Sequence, residues 1–539
     1  EIAMPSMISA PQPLAVEAGA RMLASGGNAY DAAITCVAVQ WLIDPHSCGA
    51  GGYMVMTSFS AESGQPNPVI DAPAVAGSGV TAEMWQDIVI RANPEGWGYF
   101  LQGKVNEDGY QSICVPGIGR GLGLVHQRWA SREWDELLAP AIRLAEEGWV
   151  VGALQAARWK EPPSFYEGSS GRQKLEVTPS AQRIYLKPDG STYEMHETLS
   201  NPDYAATLRR IAEAGPDDLH EGQLAETMAA DLATNGSWVT ADDLASYEVC
   251  SEEAVTTTYK GYTVVSNQPP HGGPTLAAIF NILGDEDLAS LGHNSPDYIL
   301  RVSLAMKAAF ADRNRHLADG RFEEVPLEWM TSPERAAEWR EVISSGQPID
   351  VGREQADSGT THVSVVDANG NCVSLTHSLG TSSGVITDGL GFMYNNSMVN
   401  FDPFPGNPNS IAPRKGRTTG MTPAMVLRDG RPVLVLGAPG ATRIITSVLQ
   451  VILNHLEFGM SITDAVHAPR FDCQGDLIKC QRRIPEYVCE EVRKSHPVIR
   501  IPRSHGGLAL VHAVAIDPVS GELTGAADTG ADGMALLVP

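Results

Sequence analysis

The stretch that most restricts the fold is Gly359-Thr360-Thr361-His362-Val363-Ser364-Val365-Val366-Asp367. From Val363 it carries a short run of β-branched residues. Ala368-Asn369-Gly370-Asn371 follows as a turn, and residues 372–379 return as a second strand. Small residues (Ala356, Ser358, Gly359) lead into Thr360, with Asp357 among them. A plain hairpin accounts for the local pattern. A later glycine-rich tract, Gly437-Ala438-Pro439-Gly440-Ala441-Thr442-Arg443, gives it a second context.

The rest of the chain supplies strands and helices in pairs. Residues 13–43 read as a buried helix whose small side chains permit close packing. Pro45-His46-Ser47-Cys48-Gly49-Ala50-Gly51-Gly52-Tyr53 is dense in glycine, which serves unusual φ angles or close approach. No Lys-Ser/Thr follows, so it is not a nucleotide loop. Residues 53–58 and 69–71 form a strand pair, 115–122 opens a helix, and 137–145 has helical spacing ending at Gly148. Residues 150–250 read as mostly helical, with a capping box of Thr240 and Asp243. A strand at 262–266 runs into Gln268-Pro269-Pro270-His271-Gly272-Gly273-Pro274-Thr275, and helices follow to about 345. Residues 348–358 lose periodicity, as a flexible arm before Thr360 would. Beyond the hairpin, 391–396 reads as a strand and 401–417 as a loop. Residues 421–427 and 432–437 read as strands around Asp429-Gly430, and 442–456 as a helix. Strands at 508–516, 523–527 and 534–538 close the chain. Strand pairs and helix pairs without βαβ regularity imply sheets sandwiched between helical layers.

At 539 residues the chain is long enough for several domains or one large two-part fold. Its 43% hydrophobic and 19% charged residues are globular values. A formal charge of −26 argues against nucleic-acid and anionic-membrane partners. The eight cysteines show neither metal-finger spacing nor Cys-x-x-Cys, and read as scattered reduced thiols. No run of 18 apolar residues provides a membrane span. The first residues, Glu-Ile-Ala-Met-Pro, lack both a signal pattern and a starting Met, so trimming, including a removed export signal, stays open. With no visible signal and scattered cysteines, the cytoplasm is favoured over the periplasm or secretion.

Several motifs resemble, in order, those of the gamma-glutamyltranspeptidase family of N-terminal-nucleophile hydrolases. They are Gly26-Gly27-Asn28-Ala29-Tyr30-Asp31-Ala32-Ala33, Pro45-His46-Ser47, Ala311-Asp312-Arg313, Thr360-Thr361-His362, Tyr394-Asn395-Asn396, Pro439-Gly440-Ala441-Thr442-Arg443 and Ala468-Pro469-Arg470-Phe471. The resemblance spans nearly the whole chain. It implies an α+β fold, a four-layer αββα sandwich. It also implies self-cleavage between Gly359 and Thr360 into a large part (1–359) and a small part (360–539), no cofactor and no metal. The two parts would stay associated, with a higher oligomer open. The family's glycine-rich tract near residue 50 stands beside the active site as structure.

The chemistry fits that expectation. A threonine hydroxyl is a poor nucleophile at neutral pH and needs an adjacent base. A freed Thr360 α-amine, with an unperturbed pKa of ~7.7–8.0, supplies one. Before cleavage it is an amide without that basicity. Gly359 suits the scissile position, where the backbone accepts strain. By the resemblance, Ser378 supplies a hydroxyl partner to the nucleophile, and the N–H groups of Gly440 and Ala441 form the oxyanion hole, each such donor being worth roughly 3–4 kcal/mol in the transition state.

The acyl pocket departs from the family. The family grips a glutamate head through an Arg, an Asn, two acidic or amide residues and a Ser-Ser pair. The corresponding positions here are Ala72-Pro73-Ala74, Gly380, Ser397 with Asn400, and Thr419-Gly420. An α-ammonium without an anion loses charge-assisted hydrogen bonds worth roughly 1.5–3 kcal/mol each. The loop between 401 and 418 also lacks the insertion that lids some members. Three readings follow. The favoured one is an amide hydrolase acting on a small acyl amide through an acyl-enzyme on Thr360, as in the family's cephalosporin acylases and oxamate amidohydrolases. The second is a gamma-glutamyl hydrolase or transferase with a rearranged grip, using Arg414, Lys415, Arg417 or Arg443. The third is an uncleaved, non-catalytic relative.

Overall fold

The computed structural model describes residues 4–93, 98–161, 168–353 and 359–539. Two antiparallel sheets face one another. The first runs, edge to edge, Met534–Val538, Ser6–Ala10, Thr361–Val366, Cys372–Ser378, Tyr53–Ser60, Val69–Ala72 and Cys250–Glu252. The second runs Val255–Tyr259, Tyr262–Ser266, Ala424–Arg428, Arg431–Gly437, His512–Ile516 and Leu523–Ala527.

Between the sheets lies an apolar layer that includes Met7, Phe59, Val265, Val366, Met425, Val435 and Val514. Polar groups cross it as well: Ser374 donates to the Leu436 carbonyl at 2.8 Å, and Ser9 to the Ala526 carbonyl at 2.7 Å. The outer face of the first sheet is covered by Pro13–Ala24, Ala29–Ile43 and neighbouring helices. The outer face of the second is covered by Gly273–Leu283, Pro296–His316 and Arg443–Leu456. This is the αββα sandwich, and its central strands, Thr361–Val366 and Cys372–Ser378, are buried on both faces.

Most local readings hold. The 361–366 and 372–378 strands pair directly, with Thr361 opposite His377 and His362 opposite Thr376. Asp429 and Gly430 both take positive φ, 51° and 77°, as a two-residue hairpin turn demands. Thr240 and Asp243 form the reciprocal cap.

Three readings change. Residues 13–43 are two helices, Pro13–Ala24 and Ala29–Ile43. Gly26 enters the left-handed region at φ 89°, and Asn28 with Asp31 caps the second helix, so apolar continuity hid a break. Residues 391–396 are not a strand: Gly391, at φ 77°, packs on the Tyr204 backbone, and Tyr394 makes one isolated bridge, to Gly51. The strand expected from 508 begins at His512. Of the arm before Thr360, residues 354–358 lie outside the described residues.

Candidate active site

Thr360 enters the central strand pair at its open end. One residue before the Thr361–His377 pair it lies beside Ser378, and both are buried, at 5% and 0% exposure. Gly359 before it has φ 65°. A Cβ there would sit 1.5 Å from the Gly380 carbonyl oxygen, so only glycine fits.

Two hydroxyls converge on the Gly359 carbonyl. Thr360 Oγ1 donates to it, and Ser378 Oγ donates to it at 3.1 Å. The two hydroxyl oxygens are 3.5 Å apart, and Ser378 Oγ accepts the Gly380 N–H at 2.8 Å. Among the described residues, no imidazole or carboxylate hydrogen-bonds to Thr360 Oγ1.

The imidazoles nearby in sequence are committed to structure. His362 Nδ1 lies 2.9 Å from Thr376 Oγ1 and its Nε2 2.8 Å from Ser364 Oγ. Burial pushes the His362 pKa well below its usual value, and pushes that of His377 down to about 3. Both rings are therefore neutral packing groups at neutral pH. His46 accepts from Trp159 Nε1 at 2.9 Å and is likewise held neutral by burial. Its neighbour Ser47 accepts the Leu379 N–H at 2.8 Å, which ties the 45–47 motif to the strand end that carries Ser378. The glycine tract after it permits contact: a Cβ on Gly52 would lie 2.4 Å from the Ser378 carbonyl oxygen.

Gly440 and Ala441 follow the Arg431–Gly437 strand, whose last glycine leaves room only for the His362 ring. Gly440 has φ 136° and Ala441 φ 65°. An alanine in that region costs roughly 1–2 kcal/mol. Neither N–H has a protein acceptor among the described residues. Two successive N–H groups without a protein acceptor are available to an anion.

The sequence-derived acyl positions fall into two linked groups. Gly380, at φ 71°, is joined to the segment holding Ser397 through Asn396, which bonds to Thr381 and Leu379. Ser397 is fully buried, and its hydroxyl has no partner among the described residues. Asn400 is joined to Thr418 through Asn409, at 2.7 and 3.0 Å. Thr419 and Gly420 follow, and a Cβ on Gly420 would meet the Ala441 carbonyl oxygen at 2.3 Å, so this turn rests directly on the strained donor pair.

The four cations of the rearranged-grip reading have other partners. Arg414 pairs with Asp242 and Asp243 at 2.6 and 3.2 Å. Lys415 reaches Glu323 at 3.3 Å and the Pro408 carbonyl at 2.7 Å. Arg417 stacks over the Tyr53 ring at 5.0 Å and bonds to its hydroxyl. Arg443 donates to the Gly507 carbonyl at 3.2 Å.

Sequence reasoning missed three residues around the acyl turn. Arg313, wholly buried, donates to the Thr419 carbonyl at 2.8 Å. His271 lies 2.7 Å from Thr419 Oγ1, and Asp71 lies 2.9 Å from the other face of that ring. The Ala311-Asp312-Arg313 and Pro269-Pro270-His271 tracts marked these places, but their partner at 419 is far away in sequence.

Comparison with known proteins agrees with this architecture. The gamma-glutamyltranspeptidase family model matches residues 15–538. The chain is 35% identical to the Acylase ACY 1 proenzyme of Pseudomonas sp. (strain SE83), over 99% of this chain and 93% of that protein. It is 30% identical to the Glutathione hydrolase proenzyme of Escherichia coli (strain K12), over 87% and 81%. The crystal structure of cephalosporin acylase from Bacillus halodurans superposes with a TM-score of 0.85 at 26% identity, covering 99% of this chain and 96% of that one. The chain is a member of the gamma-glutamyltranspeptidase family of N-terminal-nucleophile amidohydrolases and acyltransferases.

Proposed function

We propose that the chain is a self-processing amide hydrolase that transfers a small acyl group to Thr360 and then to water. One observation carries this reading: Thr360 and Ser378 converge on the Gly359 carbonyl, with no side-chain base at the Thr360 hydroxyl among the described residues. A nucleophile without a neighbouring base is inert toward an external substrate until its own amine is freed. In maturation, Thr360 Oγ1 attacks the Gly359 carbonyl carbon. Ser378 stabilises the developing oxyanion, the peptide nitrogen takes a proton and departs, and water releases the resulting ester. In turnover, the Thr360 amine takes the hydroxyl proton, Gly440 and Ala441 N–H groups hold the oxyanion, and the leaving amine is protonated.

The division at 359/360 gives a large part, 1–359, and a small part, 360–539. Each contributes strands to both sheets, which supports the two remaining one body after cleavage.

For the acyl group, the uncharged set Gly380, Ser397, Asn400, Thr419 and Gly420 supports an acyl part without an α-ammonium. The relative named an acylase supports an acylase reading. The gamma-glutamyl alternative needs an anion and a cation at the head group, and the four cations considered for it have the partners described above. The deciding experiment compares hydrolysis of γ-glutamyl-p-nitroanilide with that of p-nitroanilides bearing plain short acyl groups. Comparable rates would overturn the altered-pocket reading, and a protein that remains one uncleaved chain would overturn the nucleophile.

A further inference from the structure

A cavity of about 300 Å³ opens among the helices that cover the first sheet, and none of its wall residues belongs to the nucleophile or the acyl positions. Its wall is mainly apolar and includes Pro11, Leu14, Ile43, Trp149 and Val151. Three more large apolar side chains on it stay exposed: Val150 at 51%, Leu154 at 37% and Met195 at 46%. Three on one cavity make a converging apolar surface, unlike exposed apolar residues scattered singly.

Gln155 shares this wall and is 7% exposed. Its side-chain nitrogen has no hydrogen-bond partner among the described residues. An amide buried without a partner is a cost to the fold that a bound group removes. The other buried polar groups of the wall are already engaged. Gln12 Nε2 donates to Asp44 Oδ2 at 3.0 Å and to Thr361 Oγ1 at 3.1 Å, and Gln12 Oε1 accepts from Gln40 Nε2 at 2.7 Å. Asp44 Oδ1 accepts from Arg158 at 3.1 Å. Water fills such a space poorly, because a buried water makes about three hydrogen bonds and the buried wall offers one free amide.

We infer that this cavity is a second binding site, for a small apolar molecule that carries a neutral amide. An amide presents an acceptor and a donor side by side, so it pairs with the Gln155 amide whichever way that group is turned. The apolar remainder of the ligand lies against Leu14, Ile43 and Trp149. A carboxylate fits poorly: it has no hydrogen for the Gln155 oxygen, and it shares the wall with the Asp44 carboxylate. The site is separate from the nucleophile. Thr361 turns its hydroxyl to Gln12 and Gln40, whereas Thr360 turns its own to the Gly359 carbonyl. Binding therefore requires neither the Thr360 hydroxyl nor cleavage of the chain.

The test titrates full-length protein labelled with ¹³C-methyl methionine, the Met195 signal being assigned by its loss in Met195→Leu. Three probes of matched length are compared: 3-phenylpropanamide, 4-phenylbutan-2-one and 3-phenylpropionate. The amide is expected to move the Met195 signal saturably, with a dissociation constant of about 1–5 mM for a molecule of its size. The ketone accepts but does not donate, and is expected to bind at least about threefold more weakly. The carboxylate is expected to bind at least about tenfold more weakly. Gln155→Leu should bring amide and ketone within about twofold of each other. Gln155→Met, closer in volume, makes the same comparison should the leucine variant not fold. Thr360→Ala, which lacks the hydroxyl needed to hydrolyse the probe, should bind the amide as wild type does. No movement of the Met195 signal at about 10 mM amide would overturn the inference. So would an amide preference below threefold, or one that survives in the Gln155 variants. A carboxylate that binds as tightly as the amide, or loss of binding in Thr360→Ala, would overturn it as well. Every readout is binding, so failure of the proposed amide hydrolysis would leave this result unchanged.

Discussion

At the scale of single residues, Ser378 has one proton and two claimants. While the 359–360 bond is intact, that proton points to the Gly359 carbonyl. Were the proposed cleavage to remove that carbonyl, the nearest hydroxyl would be Thr360, 3.5 Å away. Ser378→Ala is therefore expected to slow maturation and to lower kcat of the matured enzyme by about tenfold to a thousandfold, equivalent to ~1.5–4 kcal/mol. Ser378→Thr should keep much of both; equal loss in the two variants would make packing the cause. Thr360→Ala should remain a single band on a denaturing gel, and sequencing of the smaller wild-type band should begin Thr-Thr-His-Val. A start at Thr361 would break the assignment. Ala441 offers an opposite sign. Its φ of 65° favours glycine, so Ala441→Gly should stabilise the fold by about 1 kcal/mol, read as a higher urea midpoint, with activity maintained. A lower midpoint would show that the methyl group, 2% exposed, contributes more by packing than its conformation costs.

At the scale of elements, the proposed acyl positions fall on short segments between strands. The 397–400 turn is tied to the end of the 372–378 strand through Asn396 and to Thr418 through Asn409. Such a pocket is set by backbone placement more than by charge. Hydrolysis of γ-glutamyl amides is accordingly expected at a kcat/KM at least a hundredfold below that of the best amide lacking an α-ammonium, through loss of about two charge-assisted bonds, together roughly 3–6 kcal/mol. Glutathione hydrolysis at a rate near that of the best alternative would sink this expectation. The same scale shows what a sequence can reveal. The 361–378 hairpin, the Asp429-Gly430 turn and the Thr240 cap rest on contacts a few residues apart, and each was legible. The break at residues 25–28 was hidden because the second helix is buried on nearly every side, which erases the period that would mark its start. The 391–396 segment looked like a strand, yet its polar residues bond to Gly51, Cys114 and Glu107. The Asp71–His271–Thr419 array was illegible for the same reason: its members come from three separated segments.

At the scale of the whole molecule, the interleaving of the two parts has a direct consequence. Both large sheets take strands from both sides of residue 359, so two chains produced by the proposed cleavage would share both cores. They should co-elute on gel filtration without denaturant and separate only when unfolded; separation under native conditions would contradict the shared core. The same cores also set a pH dependence. His46 and His362 are held well below the usual histidine value by burial, and His377, His512 and His220 are pushed down to about 3, 4 and 4, again chiefly by burial. In the unfolded chain each would titrate near ~6.5. The unfolded state thus binds protons first, so the stability these groups permit is complete above about pH 6.5 and falls as pH drops toward the folded values. Each contributes about 1.4 kcal/mol per pH unit in that window, and five together approach the ~5–15 kcal/mol of a typical fold. The urea midpoint should therefore fall steeply between about pH 7 and pH 5, before most carboxylates protonate. His220→Asn is the sharpest check, because its amide can replace the ring N–H that lies 3.0 Å from the Leu244 carbonyl. That variant should lose about one histidine's share of the slope while matching wild type near pH 7.5. A midpoint that stays flat across the window would mean that these rings admit water and protons in the native state, and the burial argument would fail with it.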